Sequence, residues 1–368
     1  LSRLAVEEYS LIVHYRSRHE DLIRYSNRYF YDGGLLVFPT ATPNRPELGL
    51  RDVFLPEARY DAGVTKTNRM EAEAVVTKVF ELMRARPITE SIGVVALSRA
   101  QANLIEQLMN DRRLLERALD HRFAEERPER FFVKNLENVQ GDERDHIILY
   151  IGYGPTVGSD AVPNRFGPLN QDGGHRRLNV AVSRARMSLT LVHSLRPQDI
   201  RSEQEGPRLL RRYLEFIASP AGALEAGEVR PTTEEPENDF ESAVYRALVS
   251  RGHKVYCQVG CNGYFIDLAI AAEDGSGFDL GIECDGATYH SSPSARDRDW
   301  QRQSVLEGLG WAIHRIWSRS WIVDPAREVA RVEEALQRAR RKRSAPVLAE
   351  EPVSGQPVAP NVYREEVL

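Results

Sequence analysis

The sequence is poor in cysteine. Three occur in 368 residues, Cys257, Cys261 and Cys284, an odd set that cannot form a paired framework and points to a reducing, cytoplasmic setting. Zinc finds no support either. Cys257, Cys261 and His253 have no fourth ligand at a suitable spacing, so the two cysteines are expected to be buried small side chains. No apolar run approaches bilayer length, so no membrane span is expected. Basic residues are not in excess: the net charge of −5 excludes a continuous cationic coat and leaves local basic clefts as the route to nucleic acid. A secretory leader is also missing. The chain opens at Leu1 inside an amphipathic pattern, as expected of a piece cut from a longer protein, so that absence excludes little.

What is present is the make-up of a soluble globular protein, 42% hydrophobic and 28% charged, and long enough for two cores. Residues 1–217 read as α/β. Strands are expected over 91–97, 146–151 and 188–192, all continuous apolar runs of the kind buried on both faces of a parallel sheet. Helices are expected over 70–84 and 99–121, the second capped by Ser98 and carrying Leu104, Leu108, Leu115 and Leu119 on its apolar face. Strands alternating with helices imply a doubly wound sheet. Residues 218–238, punctuated by proline and glycine, read as a linker. A second, smaller α/β unit over 239–340 follows. Its expected helices are 240–252, capped by Asn238 or Asp239, then 298–309 and 325–340. Its expected strands are 255–259, 264–271, 279–283 and 311–316. Residues 341–368 begin with a basic cluster, expected to be a charged helix end, and become rich in Pro, Val and Glu, a composition expected to be disordered.

Three stretches of the first unit carry chemistry. They are His14-Tyr15-Arg16-Ser17-Arg18-His19, Glu137 through Gln140-Gly141-Asp142-Glu143 to Asp145, and Asn179 through Ser183-Arg184-Ala185-Arg186. Arginine suits phosphate because its planar fork donates two parallel hydrogen bonds and keeps its charge. Fixed cations aimed at a γ-phosphate stabilise phosphoryl transfer. An isolated arginine is more often ion-paired or solvated, which is the reading that competes for Arg18 and Arg186. His14 and His19 are expected to pack rather than to ligate.

In family order, these stretches resemble motifs IV, V and VI of the second RecA-like domain of superfamily 1 helicases, nearest the nonsense-mediated-decay and Okazaki-flap helicase branch. Asn27, Phe30 and Tyr31 fit the extension of motif IV, and residues 92–101 fit its strand followed by arginine-alanine-glutamine. The resemblance covers about residues 1–200. It implies that Arg16 and Arg184 touch the γ-phosphate of ATP, that Glu143 binds the ribose, and that Gln140 and Gly141 couple the ATP cleft to the nucleic-acid groove. It also implies a preceding RecA-like domain as partner, because the G-x-x-x-x-G-K-[ST] loop and the acidic Mg²⁺ box of the family are not in this sequence. This chain alone is not expected to hydrolyse ATP.

In the second unit, Glu241 falls on the first helix, Asp267 on one strand, and Glu283 and Asp285 on the next, with Cys284 between them. Residues two apart on a strand share a face. The turn at Gly286 lets His290 return toward it. Carboxylates are the ligands Mg²⁺ prefers, and a histidine can handle a proton. Two acids on one face of so apolar a strand repel unless a cation or a proton intervenes. Gln301 to Gln303 and His314 to Ile316 could flank a scissile phosphate. The competing reading is a merely solvated acid cluster. The arrangement over 238–338 resembles the PD-(D/E)xK nuclease superfamily, in its very-short-patch-repair endonuclease branch. That resemblance implies Asp267 as the first acid, Glu283 as the second, and Mg²⁺ or Mn²⁺ held by Asp267, Glu283 and the carbonyl of Cys284. Asp285 stands where lysine is usual, so it could be a metal ligand, a base or a water-positioning group; His290 lies at the histidine position of that branch.

The chain is thus expected to be the C-terminal part of an ATP-dependent DNA helicase or translocase carrying a metal-dependent endonuclease, with DNA, including a single-stranded segment, as partner. Two alternatives stay open: a catalytically inactive nuclease fold that docks a motor on DNA, and an RNA helicase fragment.

Overall fold

The computed structural model describes residues 13–218, 235–261, 264–286 and 302–344. It opens with a two-stranded parallel pair, β1 (Val13–His14) on β2 (Leu36–Val37), with α1 (Asp21–Phe30) between them. Five parallel strands then make the first sheet: β3 (Gly49–Phe54), β4 (Ile92–Ala96), β5 (Phe132–Asn135), β6 (Arg144–Tyr150) and β7 (Ala185–His193), ordered β3-β7-β6-β4-β5. The expected apolar strands are its three central members. Alternation sends their side chains to two separate cores. Val94, Ala96 and Ile148 pack against α2 (Arg69–Ala85) and α3 (Arg99–Leu115). Val95, Ile147, Leu149 and Leu189 pack against α1, α4 (Gly174–Val182) and α5 (Glu205–Ala218). The sheet is therefore doubly wound.

Helix α3 differs from expectation. It stops at Leu115 and gives way to a 3-10 turn over Arg117–Phe123. Its buried side is Gln101, Ala102, Ile105 and Met109, whereas Leu115 is 80% exposed. Both stripes obey helical spacing; the one containing small Ala102 lets the helix approach the sheet more closely. Ser98 holds the N-cap position with extended backbone but makes no side-chain cap bond.

The second sheet is mixed and ordered β11-β10-β9-β8. Strands β8 (Val255–Cys261), β9 (Tyr264–Ala271) and β10 (Phe278–Asp285) are antiparallel neighbours, and β11 (Ile313–Trp317) lies parallel to β10. One face is covered by α6 (Asp239–Val249) and α9 (Pro325–Ser344), through Val244, Leu248, Val332 and Leu336 against Leu268 and Ile282. The other face meets α7 (302–308) through Leu306, and Leu309 and Trp311 beyond it, together with Phe38 and Ala41 from the segment after β2. Between Trp317 and α9 lies α8 (Ser318–Val323).

Of the two cap candidates of α6, Asn238 is the N-cap and accepts from the Glu241 N–H at 2.9 Å, while Asp239 is the first helical residue. Cys257 is fully buried. Helix α9 continues to Ser344, past the expected end at 340. Arg340 and Arg343 bond Asp279 at 2.9 and 2.7 Å, so this basic run ties α9 to β10 instead of ending as a solvated helix terminus. Most of the linker, 219–234, and the tail from 345 lie outside the described residues.

Two candidate functional sites

The first site gathers at the amino ends of β6 and β7. Gly141 takes φ +90°, a conformation that only glycine adopts without strain, and the turn it makes delivers Glu143 to the edge of the sheet. Glu143 meets Arg16 at 2.7 Å. Arg184 leans on the same loop, donating to the carbonyls of Val180 at 2.8 Å and Asp142 at 3.3 Å. Burial, and then the charge of Arg16, hold the Arg184 pKa below the usual arginine range. Gln140 and Gly141 are exposed on this loop. Arg16, Glu143 and Arg184, far apart in sequence, thus share one edge. Arg186 behaves as the competing reading expects. It is a hub of ion pairs, at 2.9 Å to Asp145 and 3.3 Å to Glu143, with Glu129 closer still. The exposed Arg16–Glu143 pair is worth at most about 1 kcal/mol, so it is a cheap arrangement for a ligand to rearrange. His14 bonds Ser17 at 2.8 Å, and His19 is buried against Gly49.

The second site lies on the second sheet. Asp267 and Glu283 sit one step beyond the Ile282–Leu268 pair of β10 and β9, so they are cross-strand neighbours on one face. Asp267 Oδ2 accepts from the Cys284 N–H at 2.7 Å. Glu283 Oε1 accepts from the Tyr264 hydroxyl at 2.9 Å. Asp285 meets Arg315 Nε at 3.5 Å across the parallel β11 strand. Glu241 is buried behind them and accepts from the Glu237 N–H at 2.9 Å and the Gln258 amide at 3.2 Å. Its carboxylate therefore supports the start of α6 and the wall of the site. These acids, with Tyr264, Arg302, Gln303 and Arg315, line an open cleft of about 400 Å³.

The acids of this cleft are perturbed by their surroundings. Burial pushes the Asp267 pKa up to about 6, Glu241 and Asp285 add to the rise, and the Cys284 N–H opposes it. Burial also pushes Glu283 up to about 7, with the nearby Asp267 charge adding to it. Both groups would gain from a cation. Cys284 is pushed well above the usual thiol range, first by burial and then by Asp267 and the other acids, so its thiol is no nucleophile.

Among the described residues, no three His, Cys, Asp or Glu side chains are grouped as a ready-made metal cage. Mg²⁺ does not require one. It keeps several waters and takes one or two protein carboxylates plus phosphate oxygens. Asp267, Glu283 and a backbone carbonyl fit that donor set. His290 and Gln301 lie outside the described residues.

Sequence reasoning missed Tyr264 and Gln258. Gln258, opposite Asp267 between the pairs Cys257–Leu268 and Val259–Ile266, holds φ +51°. That conformation costs a non-glycine residue about 1–3 kcal/mol and turns its amide onto Glu241. A lone Gln and a lone Tyr in strands carry no signal of this kind.

Fold and sites define an α/β protein with two sheets: a doubly wound parallel sheet with an arginine–glutamate edge, and a mixed sheet with an acidic cleft. Residues 1–196 match the family described as an AAA domain (AAA_12), and the chain belongs to that superfamily 1 helicase-like family. Residues 240–336 match the nuclease-like family described as REase_MTES_1575. The chain is 29% identical over 340 residues to the uncharacterized ATP-dependent helicase MG140 of Mycoplasma genitalium, covering 88% of this chain and 29% of that protein. It is 28% identical over 326 residues to the MG140 homolog of Mycoplasma pneumoniae, covering 85% of this chain and 28% of that protein. It thus spans less than a third of the length of either relative. A solved C-terminal domain of a possible DNA helicase from Lactobacillus plantarum aligns over 48% of this chain and 86% of its own, with 15% identity and a TM-score of 0.27, too low to bear on the fold. No helix among the described residues is long and apolar enough to cross a membrane.

Proposed function

We propose that this chain is the C-terminal part of a cytoplasmic ATP-dependent DNA helicase or translocase that carries a divalent-metal-dependent DNA endonuclease, serving restriction, defence or repair. The observation that carries the nuclease reading is the pair Asp267 and Glu283: cross-strand neighbours in one cleft, both held above the usual carboxylate range by burial and by acidic neighbours. Asp267, Glu283 and the Cys284 carbonyl would hold Mg²⁺ or Mn²⁺, which when bound supplies a more acidic water and screens phosphate charge. The chain's own groups do the rest. Tyr264 fixes one oxygen of Glu283, and the Cys284 N–H fixes one oxygen of Asp267. Arg315 neutralises Asp285 and, with Arg302, brings positive charge into a cleft that a phosphodiester must enter. Asp285 and His290 would accept the proton and position the water, with Glu241 bracing the wall. At the other edge, Arg16 and Arg184 would face the γ-phosphate of ATP bound to a partner RecA-like domain. Glu143 would turn from Arg16 to the ribose, and Gln140 and Gly141 would report the nucleotide to single-stranded DNA.

The test is incubation of the full chain with plasmid and with DNA and RNA oligonucleotides, in Mn²⁺ and in chelator. Metal-dependent DNA nicking should appear and should fall to the chelator level in Asp267→Ala. Nicking unchanged by that substitution refutes the assignment. Mn²⁺-independent DNA binding without cleavage would instead identify a docking module.

A further inference from the structure

Among the described residues, one face of the nuclease-like sheet is covered in part by the first unit. The segment after β2 crosses it and fills its core: Phe38 is 5% exposed and Ala41 is fully buried, among Ile266, Leu306, Leu309 and Trp311. Main chain holds it on both sides. The Ala41 carbonyl accepts from the Phe278 N–H at 2.8 Å, the Ala41 N–H donates to the Leu309 carbonyl at 3.3 Å, and the Pro39 carbonyl accepts from the Trp311 indole at 2.8 Å. Asn44 donates to the Gly275 carbonyl at 3.0 Å. Gly277 is shaped to receive this crossing, since a Cβ there would lie 2.1 Å from the Ala41 oxygen. The Phe38 ring packs on the Tyr264 ring with centroids 4.6 Å apart. Tyr264 in turn donates to Glu283. The upstream end is equally short: Phe38 follows Val37, whose β1 partner is His14, two residues before Arg16.

We propose that the segment from Phe38 to Ala41 of the helicase-like unit is a positioning element of the nuclease site, acting through Phe38 on Tyr264 and through the Tyr264 hydroxyl on Glu283. The proposal builds on the hydrolytic reading of the acidic cleft. A tyrosine's hydroxyl can hold a carboxylate only as well as its ring is held. Here the ring of Tyr264 rests on Phe38, which belongs to the other unit, so the geometry of the acid is set from outside its own sheet. Hydrogen-bond partners of metal-binding carboxylates typically change affinity or activity about 10–100-fold when removed.

The experiment uses the full chain and three variants. Tyr264→Phe keeps the ring and removes the donor, Phe38→Ala removes the platform, and Phe38→Leu keeps most of its volume. Mn²⁺ affinity is read by calorimetry, and exchange of the β9 and β10 amides by hydrogen–deuterium mass spectrometry. Tyr264→Phe and Phe38→Ala should each weaken Mn²⁺ about 10-fold. The double variant should weaken it no further than the worse single, because both act through one hydroxyl. Phe38→Ala should also speed exchange around Cys284, and Phe38→Leu should recover most of both effects. Independent losses in the double variant, or unchanged affinity and exchange in folded Phe38→Ala, overturn the proposal. If Phe38→Ala does not fold, Phe38→Leu in the two backgrounds decides: a residual loss in Phe38→Leu that disappears when Tyr264→Phe is already present supports the link, and no loss in Phe38→Leu, or the same loss in both backgrounds, overturns it. Absence of Mn²⁺ binding in the unmodified chain would instead remove the hydrolytic reading, and the exchange data would still show whether Phe38 holds this sheet edge.

Discussion

Replacing Asp267 by asparagine isolates the cost of keeping a charge in the acidic cleft. Its pKa is raised from 3.8 to about 6, chiefly by burial. The sign follows from linkage. For an acid raised by folding, the stabilising contribution is complete below the unfolded value and is lost as pH rises through the folded one. At about 1.4 kcal/mol per pH unit, ionising Asp267 in place costs about 3 kcal/mol between about pH 4 and pH 7. Asparagine keeps an oxygen for the Cys284 N–H and carries no charge at any pH. All four tryptophans, Trp300, Trp311, Trp317 and Trp321, fall between residues 300 and 321 of the sequence, so fluorescence-detected urea unfolding follows the second unit together with the 38–41 segment packed on Trp311. With chelator, the two proteins should be equally stable near pH 4, and Asp267→Asn should be more stable by about 3 kcal/mol near pH 8. Mn²⁺ at about 100 times its Kd should return about 2.7 kcal/mol to the unsubstituted protein and much less to the variant. Equal stability near pH 8 in chelator refutes the claim that this carboxylate is strained by its site.

Two further outcomes follow from the packing. Arg186→Met removes the cation shared by Glu129, Glu143 and Asp145 and should cost about 2 kcal/mol, seen as faster exchange of β6 and β7 amides. Burial opposes ionisation of Asp145, but its bonds to Arg186 and Ser91 prevail and hold its pKa below the usual range, and bonds to Arg186 first hold Glu129 low. This contribution is therefore present above about pH 4 and lost below it, so the difference between Arg186→Met and the unsubstituted protein should shrink in acid. Gly277→Ala adds a Cβ at φ +151°, 2.1 Å from the Ala41 oxygen, and should weaken docking of the 38–41 segment by about 1–3 kcal/mol, reported by fluorescence of the adjacent Trp311.

Much of this protein was legible as local pattern. The runs at 91–97, 146–151 and 188–192 are too apolar to face water on either side, so a parallel sheet covered by helices was the only comfortable home for them. Asn238 and Asp239 both offered a cap for α6, and the fold uses Asn238. Asp267, Glu283 and Asp285 stood out because charge inside an apolar strand has to be compensated. Helix α3 was harder: Ala102, Ile105 and Met109 are its buried centre, Leu104 and Leu108 pack only at its margin, and Leu115 faces solvent, a choice made by the available sheet surface.

Sequence by itself determined which residues could carry charge into the core and in what order the elements follow, since propensity and periodicity act over a few residues. Tertiary structure decided who meets whom. The pairing of Arg16 with Glu143, the seat of Tyr264 on Glu283, the approach of Arg315 to Asp285 and the crossing of Phe38 over the second sheet all join residues separated by tens to hundreds of positions. Such contacts depend on strand order, register and the docking of one unit on the other. Those are set by burial summed over the whole chain, and no local pattern encodes that sum.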